Sequence, residues 1–179
     1  GTGGRGRTVS LADLARLIRR TGRIAEPAPP LPGPPEDADS SALPRGGVPA
    51  LRGSVQVRHV DAGSCNGCEI EIAAAFGPVY DAERYGARLV ASPRHADVVL
   101  VTGVVTHNMA GPLRMTVAAT PEPRLVVALG DCARSCGALR GGYGVLGAVH
   151  DVVPVDLEVP GCPPEPEAIV EALRRVTGR

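Results

Sequence analysis

The residues best equipped for chemistry in this 179-residue chain are its five cysteines. Cys65 and Cys68 occupy the stretch Gly63-Ser64-Cys65-Asn66-Gly67-Cys68-Glu69. Cys132 and Cys136 lie in Gly130-Asp131-Cys132-Ala133-Arg134-Ser135-Cys136, and Cys162 lies in Gly161-Cys162-Pro163-Pro164. Thiolates are soft ligands, matched to iron or zinc, and four of them suit a four-iron, four-sulfide cluster. An odd number of cysteines fits poorly with a purely disulfide framework, so a reduced, cytoplasmic setting is expected.

Such distant residues act together only if the fold gathers them. Apolar runs predict strands over 55–60, 88–91, 98–101, 125–129 and 152–155. Residues 98–101 and 125–129 are nearly continuous aliphatic runs, the pattern of strands buried on both faces. Helices are expected over 69–75, 81–85, 110–119 and 164–176. The last is the best signalled, with Pro163 and Pro164 at its start, Glu165 and Glu167 in its first turn and Arg174 and Arg175 at its end. Strands alternating with helices indicate an α/β domain with a mostly parallel sheet.

On that scheme Cys65 and Cys68 follow the first strand, Cys132 follows 125–129, and Cys162 comes shortly after 152–155. The carboxyl ends of parallel strands share one edge, where ligands bind. Each loop also carries glycine beside its cysteine (Gly63 and Gly67, Gly130, Gly161), which lets backbone approach a bulky inorganic group and present N–H donors to it. Cys65, Cys68, Cys132 and Cys162 are therefore expected to hold one iron–sulfur cluster. Three other readings compete. Cys65, Cys68, Cys132 and Cys136 have the spacing of a structural zinc site, which leaves Cys162 unexplained. Cys65-x-x-Cys68 also has the form of a thioredoxin-type redox pair. Inert buried thiols are disfavoured, because all five cysteines read as lying in turn-like loops.

Composition narrows the partners. The 19 basic residues, all arginine, balance 19 acidic ones, which gives no electrostatic case for nucleic acid or for an anionic membrane surface. No run approaches the roughly 20 apolar residues that span a bilayer, and no secretory signal is evident. The chain opens on Gly1 rather than Met, so sequence upstream of it is expected. Residues 10–20 read as an amphipathic helix: Ser10 and Asp13 form a capping box, and Leu11, Leu14, Leu17 and Ile18 make an apolar stripe. It is either a fraying terminal helix or a docking helix for a partner subunit. Residues 25–49, rich in proline, read as an extended linker. The chain thus divides into an N-terminal arm over 1–50 and a cluster-binding domain over 51–179.

Several motifs, in order, carry a family resemblance. Gly63-Ser64-Cys65-Asn66-Gly67-Cys68 resembles the proximal-cluster motif of nickel–iron hydrogenase small subunits, especially the energy-converting, complex-I-like group. Thr102-Gly103-Val104-Val105-Thr106 is similar to a stretch of that superfamily. Asn108-Met109-Ala110-Gly111-Pro112-Leu113-Arg114, Pro121-Glu122-Pro123-Arg124, Gly130-Asp131-Cys132-Ala133 and Val159-Pro160-Gly161-Cys162-Pro163-Pro164 resemble the 20-kDa, B-type subunit of NADH–quinone oxidoreductase. The resemblance covers about residues 52–176 and leaves out the first 50.

The resemblance implies a flavodoxin-like α/β domain with helices on both faces of the sheet and one [4Fe–4S] cluster. Quinone-reductase members carry two adjacent cysteines, whereas Cys65-x-x-Cys68 is the hydrogenase arrangement. The chain ends at Arg179, just after the last helix, without the further cluster domain of the large hydrogenase small subunits; this points to the complex-I-like group. Cys136 falls where the family has glycine. The resemblance also places a carboxylate near Glu71 on the proton path of a large subunit. Glu69 reads as a favourable charge at a helix start. Arg114 and Arg124 read either as ion-pair residues or as charges that orient a partner and raise the cluster's potential. His107 reads as a loop histidine, and residues 102–106 as packing around the cluster pocket.

The expected function is that of an electron-transfer small subunit in an oxidoreductase complex, active only with its partners. These are a hydrogenase-type large subunit, other subunits of a membrane-associated complex on its cytoplasmic face, and a quinone. The alternatives are a B-type subunit of a quinone-reducing complex without nickel, and a zinc-stapled binding module without redox activity.

Overall fold

The computed structural model describes residues 49–179 together with Leu11, Ala12, Ala15, Arg16 and Arg19. The chain divides into two units, Gly1–Pro32 and Gly33–Arg179. In the first, the five described residues are helical and exposed. The rest of the expected 10–20 helix, and linker residues 25–48, lie outside the described residues.

Among the described residues, the second unit has seven strands and four α-helices. The strands are β1 (Val55–Asp61), β2 (Ala87–Leu89), β3 (Val98–Thr102), β4 (Val105–Thr106), β5 (Leu125–Leu129), β6 (Val145–Gly147) and β7 (Leu157–Val159). The helices are α1 (Gly67–Ala75), α2 (His107–Ala119), α3 (Asp131–Ser135) and α4 (Pro166–Thr177). Five strands pair in the order β2-β1-β3-β5-β7, and every pairing is parallel. That is the flavodoxin-like order, with its switch point between β1 and β3. β4 and β6 form a small antiparallel ladder of their own.

Every residue of β3 and β5 is buried, as their unbroken aliphatic runs require. Alternation along the strands sends Val98, Leu100, Leu125, Val127 and Leu129 to one face, where Ile72 of α1 and Ile169 and Leu173 of α4 cover them. It sends Val99, Val101, Val126 and Ala128 to the other, under Ala110, Leu113 and Val117 of α2. The helices therefore lie on both faces, as expected.

One expected strand is corrected. Residues 152–155 form no strand. A 3-10 turn, Val149–Asp151, precedes them, and the edge strand is β7, further along. Val149, Val152, Val153 and Val155 instead pack as buried plugs beneath the α2 face, and Pro154 has no N–H to offer a ladder. Pairing with β5 starts through Asp156, whose amide donates to the Val126 carbonyl at 2.9 Å. Its carboxylate accepts from the Val126 amide at 2.7 Å. Cys162 still follows the carboxyl end of a strand, only more closely. The 81–85 helix is also shorter than expected, a 3-10 turn over Ala82–Tyr85 capped by Asp81.

Candidate metal centre

The turn after β1 is shaped by two side chains. The Asp61 carboxylate accepts from the Gly63 amide at 2.9 Å and the Ser64 amide at 2.7 Å. The Ser64 hydroxyl accepts from the Asn66 amide at 3.0 Å. Asn66 then takes a left-handed conformation, φ 73°, and α1 begins at Gly67. This leaves Cys65 exposed and buries Cys68 within the first turn of the helix. The sequence reading placed all five thiols in loops; Cys68 and Cys136 are in fact buried.

After β5, Gly130 turns the chain at φ 90° and α3 carries Cys132 in its first turn. A Cβ at Gly130 would stand 2.9 Å from the Cys68 sulfur and 3.4 Å from the Gly161 carbonyl, so only glycine lets the second and third loops close on the first. Cys136 ends α3 with φ 64°. It is buried against Val104 and Ala148.

Cys65, Cys68, Cys132 and Cys162 all line one cavity of about 110 Å³, with Ser64, Gly67, Gly103, Asp131, Gly161 and Pro163. Cys136 is not among its lining residues. Burial, then the charge of Glu69 and then the other three thiols, push the Cys68 thiol up to about 12. Burial, Cys162 and Cys65 raise Cys132 as well. Among the described residues, no group of three or more His, Cys, Asp and Glu is arranged to hold a metal ion. Four soft donors and a glycine-lined cradle around a cavity match the requirements of an iron–sulfur cluster.

The other candidates fall as follows. Glu71 lies on α1, half-buried, and is not among the cavity's lining residues. Arg124 stands at the amino end of β5, away from the cysteine edge, and pairs with Glu122 at 2.9 Å. Arg114 donates from Nε to the Val152 carbonyl at 3.3 Å. His107 is exposed at the start of α2. Gly103 lines the cavity, in keeping with the packing role read for 102–106.

A partly buried polar network joins Ser64, Glu69, Thr102 and His59. The Glu69 carboxylate accepts a hydrogen bond from Thr102 Oγ1 and another from Ser64 Oγ at 2.5 Å. His59 Nε2 lies 2.9 Å from Thr102 Oγ1 and 3.4 Å from Glu69 Oε1. Burial lowers the His59 pKa, against the opposing pull of Glu69 and Asp61. The alternation of β1 and β3, which turns His59 and Thr102 toward α1, was the signal for it available in the sequence.

The comparisons settle the lineage. Residues 65–176 match the family described as NADH ubiquinone oxidoreductase, 20 Kd subunit. The chain belongs to this family. It is 47% identical over 117 residues to a probable membrane-bound hydrogenase subunit of Pyrococcus furiosus, covering 65% of this chain and 70% of that one. It is 43% identical over 128 residues to formate hydrogenlyase subunit 7 of Escherichia coli K12, covering 72% of this chain but only 50% of the relative. Among solved structures, a chain of the membrane-bound sulfane sulfur reductase, an archaeal respiratory membrane complex, superposes with TM-score 0.63 at 30% identity, over 72% of this chain and 71% of that one. Family members are thus subunits of oxidoreductase complexes, and this chain is an oxidoreductase subunit of the hydrogenase and NADH–quinone oxidoreductase type. Among the described residues no helix is long and apolar enough to cross a membrane.

Proposed function

We propose that Cys65, Cys68, Cys132 and Cys162 hold one [4Fe–4S] cluster, and that the chain is the electron-transfer small subunit of a complex-I-like nickel–iron hydrogenase or a related complex. The observation that carries this reading is the convergence of four thiols, from three carboxyl strand ends, on one cavity. When bound, the cluster accepts and passes on single electrons. The chain supplies four thiolates, the buried Cys68 side, and an exposed side at Cys65 and Cys162 that faces outward.

Exposed apolar side chains close to the cysteines in sequence, Ile70 at 61% and Leu139 at 43%, favour a partner subunit that packs beside this edge. In the proposed complex that partner is a hydrogenase-type large subunit whose active site neighbours the cluster, and Glu71 lies toward its proton path. The complex sits on the cytoplasmic face of a membrane, with the N-terminal arm over 1–50 docking to other subunits. A partner without nickel, in a quinone-reducing complex, is the second reading, favoured by the family's NADH–quinone oxidoreductase members.

Anaerobic purification of the full chain tests the cluster. About four irons and matching acid-labile sulfide per chain are expected for a single cubane. Stoichiometric zinc without sulfide would overturn the reading in favour of a zinc-stapled module.

A further inference from the structure

Two directional chains of hydrogen bonds end on one carboxylate. The Ser64 hydroxyl has a single proton. Its oxygen accepts from the Asn66 amide at 3.0 Å, so the proton goes to Glu69 Oε2. The Thr102 hydroxyl likewise gives its one proton to Glu69 Oε1. Its oxygen also lies 2.9 Å from His59 Nε2. Both oxygens of Glu69 thus accept a hydrogen bond, and the side chain is only 19% exposed.

The partners come from different elements. Ser64 belongs to the turn that carries Cys65, Glu69 follows Cys68 in α1, and Thr102, wholly buried, ends the central strand β3. Backbone contact locks the same joint: a Cβ at Gly103 would collide with the Ser64 amide. Hydrogen bonds to an ionised group are roughly twice as strong as neutral ones. A carboxylate used only as a favourable charge at a helix start would point into solvent and need no such partners.

We propose that Glu69 is a positioning residue for the cluster. Its carboxylate ties the Cys65–Cys68 turn to β3 and sets a partly neutralised negative charge on the residue next to Cys68. The proposal rests on the cluster reading above. It assigns a role to this chain's own network, separate from the thiol ligands and from Glu71. A negative charge near a cluster disfavours the added electron. Removing the charge therefore raises the reduction potential, whereas removing a donor that neutralises it lowers the potential.

The test uses the full chain, anaerobically purified with its cluster, in wild-type, Glu69→Gln and Ser64→Ala forms. Iron content is measured first. Redox titration followed by paramagnetic resonance gives the potential, and challenge with a chelator gives the rate of cluster loss. Glu69→Gln is expected to shift the potential upward, Ser64→Ala downward, and both to lose iron several-fold faster. A merely structural loosening would move both potentials the same way, and that result, or an unmoved potential in Glu69→Gln, overturns the proposal. If Glu69→Gln does not fold, Ser64→Ala and Thr102→Val decide alone: potentials equal to wild type overturn it. A wild-type chain without iron overturns the cluster reading itself, and is seen before either variant is compared.

Discussion

Asp131 and Gly161 hold each other through a reciprocal pair of hydrogen bonds. The Asp131 amide donates to the Gly161 carbonyl at 2.8 Å. The Gly161 amide donates back to Asp131 Oδ1 at 3.1 Å. The loop bearing Cys132 is thereby fixed to the loop bearing Cys162, one residue from each thiol. Arg134 extends the joint, reaching Asp131 Oδ1 at 3.4 Å and Glu158 at 2.9 Å.

Asp131→Ala should therefore loosen the two loops against each other. The loss of one hydrogen bond to a charged group, with a half-exposed ion pair, amounts to about 1–3 kcal/mol. Asp131→Asn keeps an acceptor for Gly161 and should recover most of it. Urea unfolding of the apo chain measures the difference, and equal midpoints for Asp131→Ala and wild type would count against the clamp.

The four cavity thiols should be separable from the fifth. On the proposed reading, Cys65→Ser, Cys68→Ser, Cys132→Ser and Cys162→Ser should each lose or cripple the cluster, because a hydroxyl is a poor substitute for a soft thiolate. Cys136→Ser should keep it, because Cys136 lies outside the cavity lining. Iron content and the low-temperature resonance signal of each reduced variant decide. Loss of the signal in Cys136→Ser, with retention in Cys132→Ser, would reverse the assignment.

Cys136 also tests backbone strain. Its φ of 64° is a conformation that costs a non-glycine residue about 1–2 kcal/mol. Cys136→Gly should relieve this while giving up packing on Val104 and Ala148, for a net change near zero. Cys136→Val, branched at Cβ, should destabilise by more than about 1 kcal/mol in thermal unfolding.

The raised thiols predict an alkaline loss of apo stability. Burial, then Glu69 and the neighbouring thiols, push the folded Cys68 thiol up to about 12, against 9.0 ordinarily, so between these values the folded chain keeps a proton that the unfolded chain releases. The associated stability is fully present below about pH 9 and drains away as pH rises toward 12. Cys132 acts in the same direction. Denaturation midpoints between pH 8 and 11, an experimental range chosen to bracket the thiols, should fall for wild type and flatten in Cys68→Ser. A metal that binds Cys68 must also displace this proton, so loading should release protons and weaken as pH falls.

Much of this molecule is legible in its one-dimensional pattern. The aliphatic runs of β3 and β5 require burial on both faces, and that forces helices onto each. Four cysteines beside glycines, after strand-like runs, already imply a shared edge, because parallel strands end together. The end of α4 is readable from Arg174, Arg175 and Gly178, which complement and terminate a helix whatever it packs against.

Tertiary structure decided what depends on relative placement. The valines of 152–155 have strand composition, yet β7 takes the pairing position beside β5 and Pro154 interrupts a ladder. Cys132 is set apart from Cys136 in the sequence by its place at the strand end, but that Cys136 takes a left-handed turn and packs against Val104 and Ala148, outside the cavity lining, is settled only by the fold. Glu69 reads as a surface charge at a helix start until β1 and β3 bring His59 and Thr102 beneath it. Local propensity specifies how a segment folds, whereas a side chain's partners come from distant strands, Thr102 lying 33 residues from Glu69 and 43 from His59, and only the packed sheet supplies them.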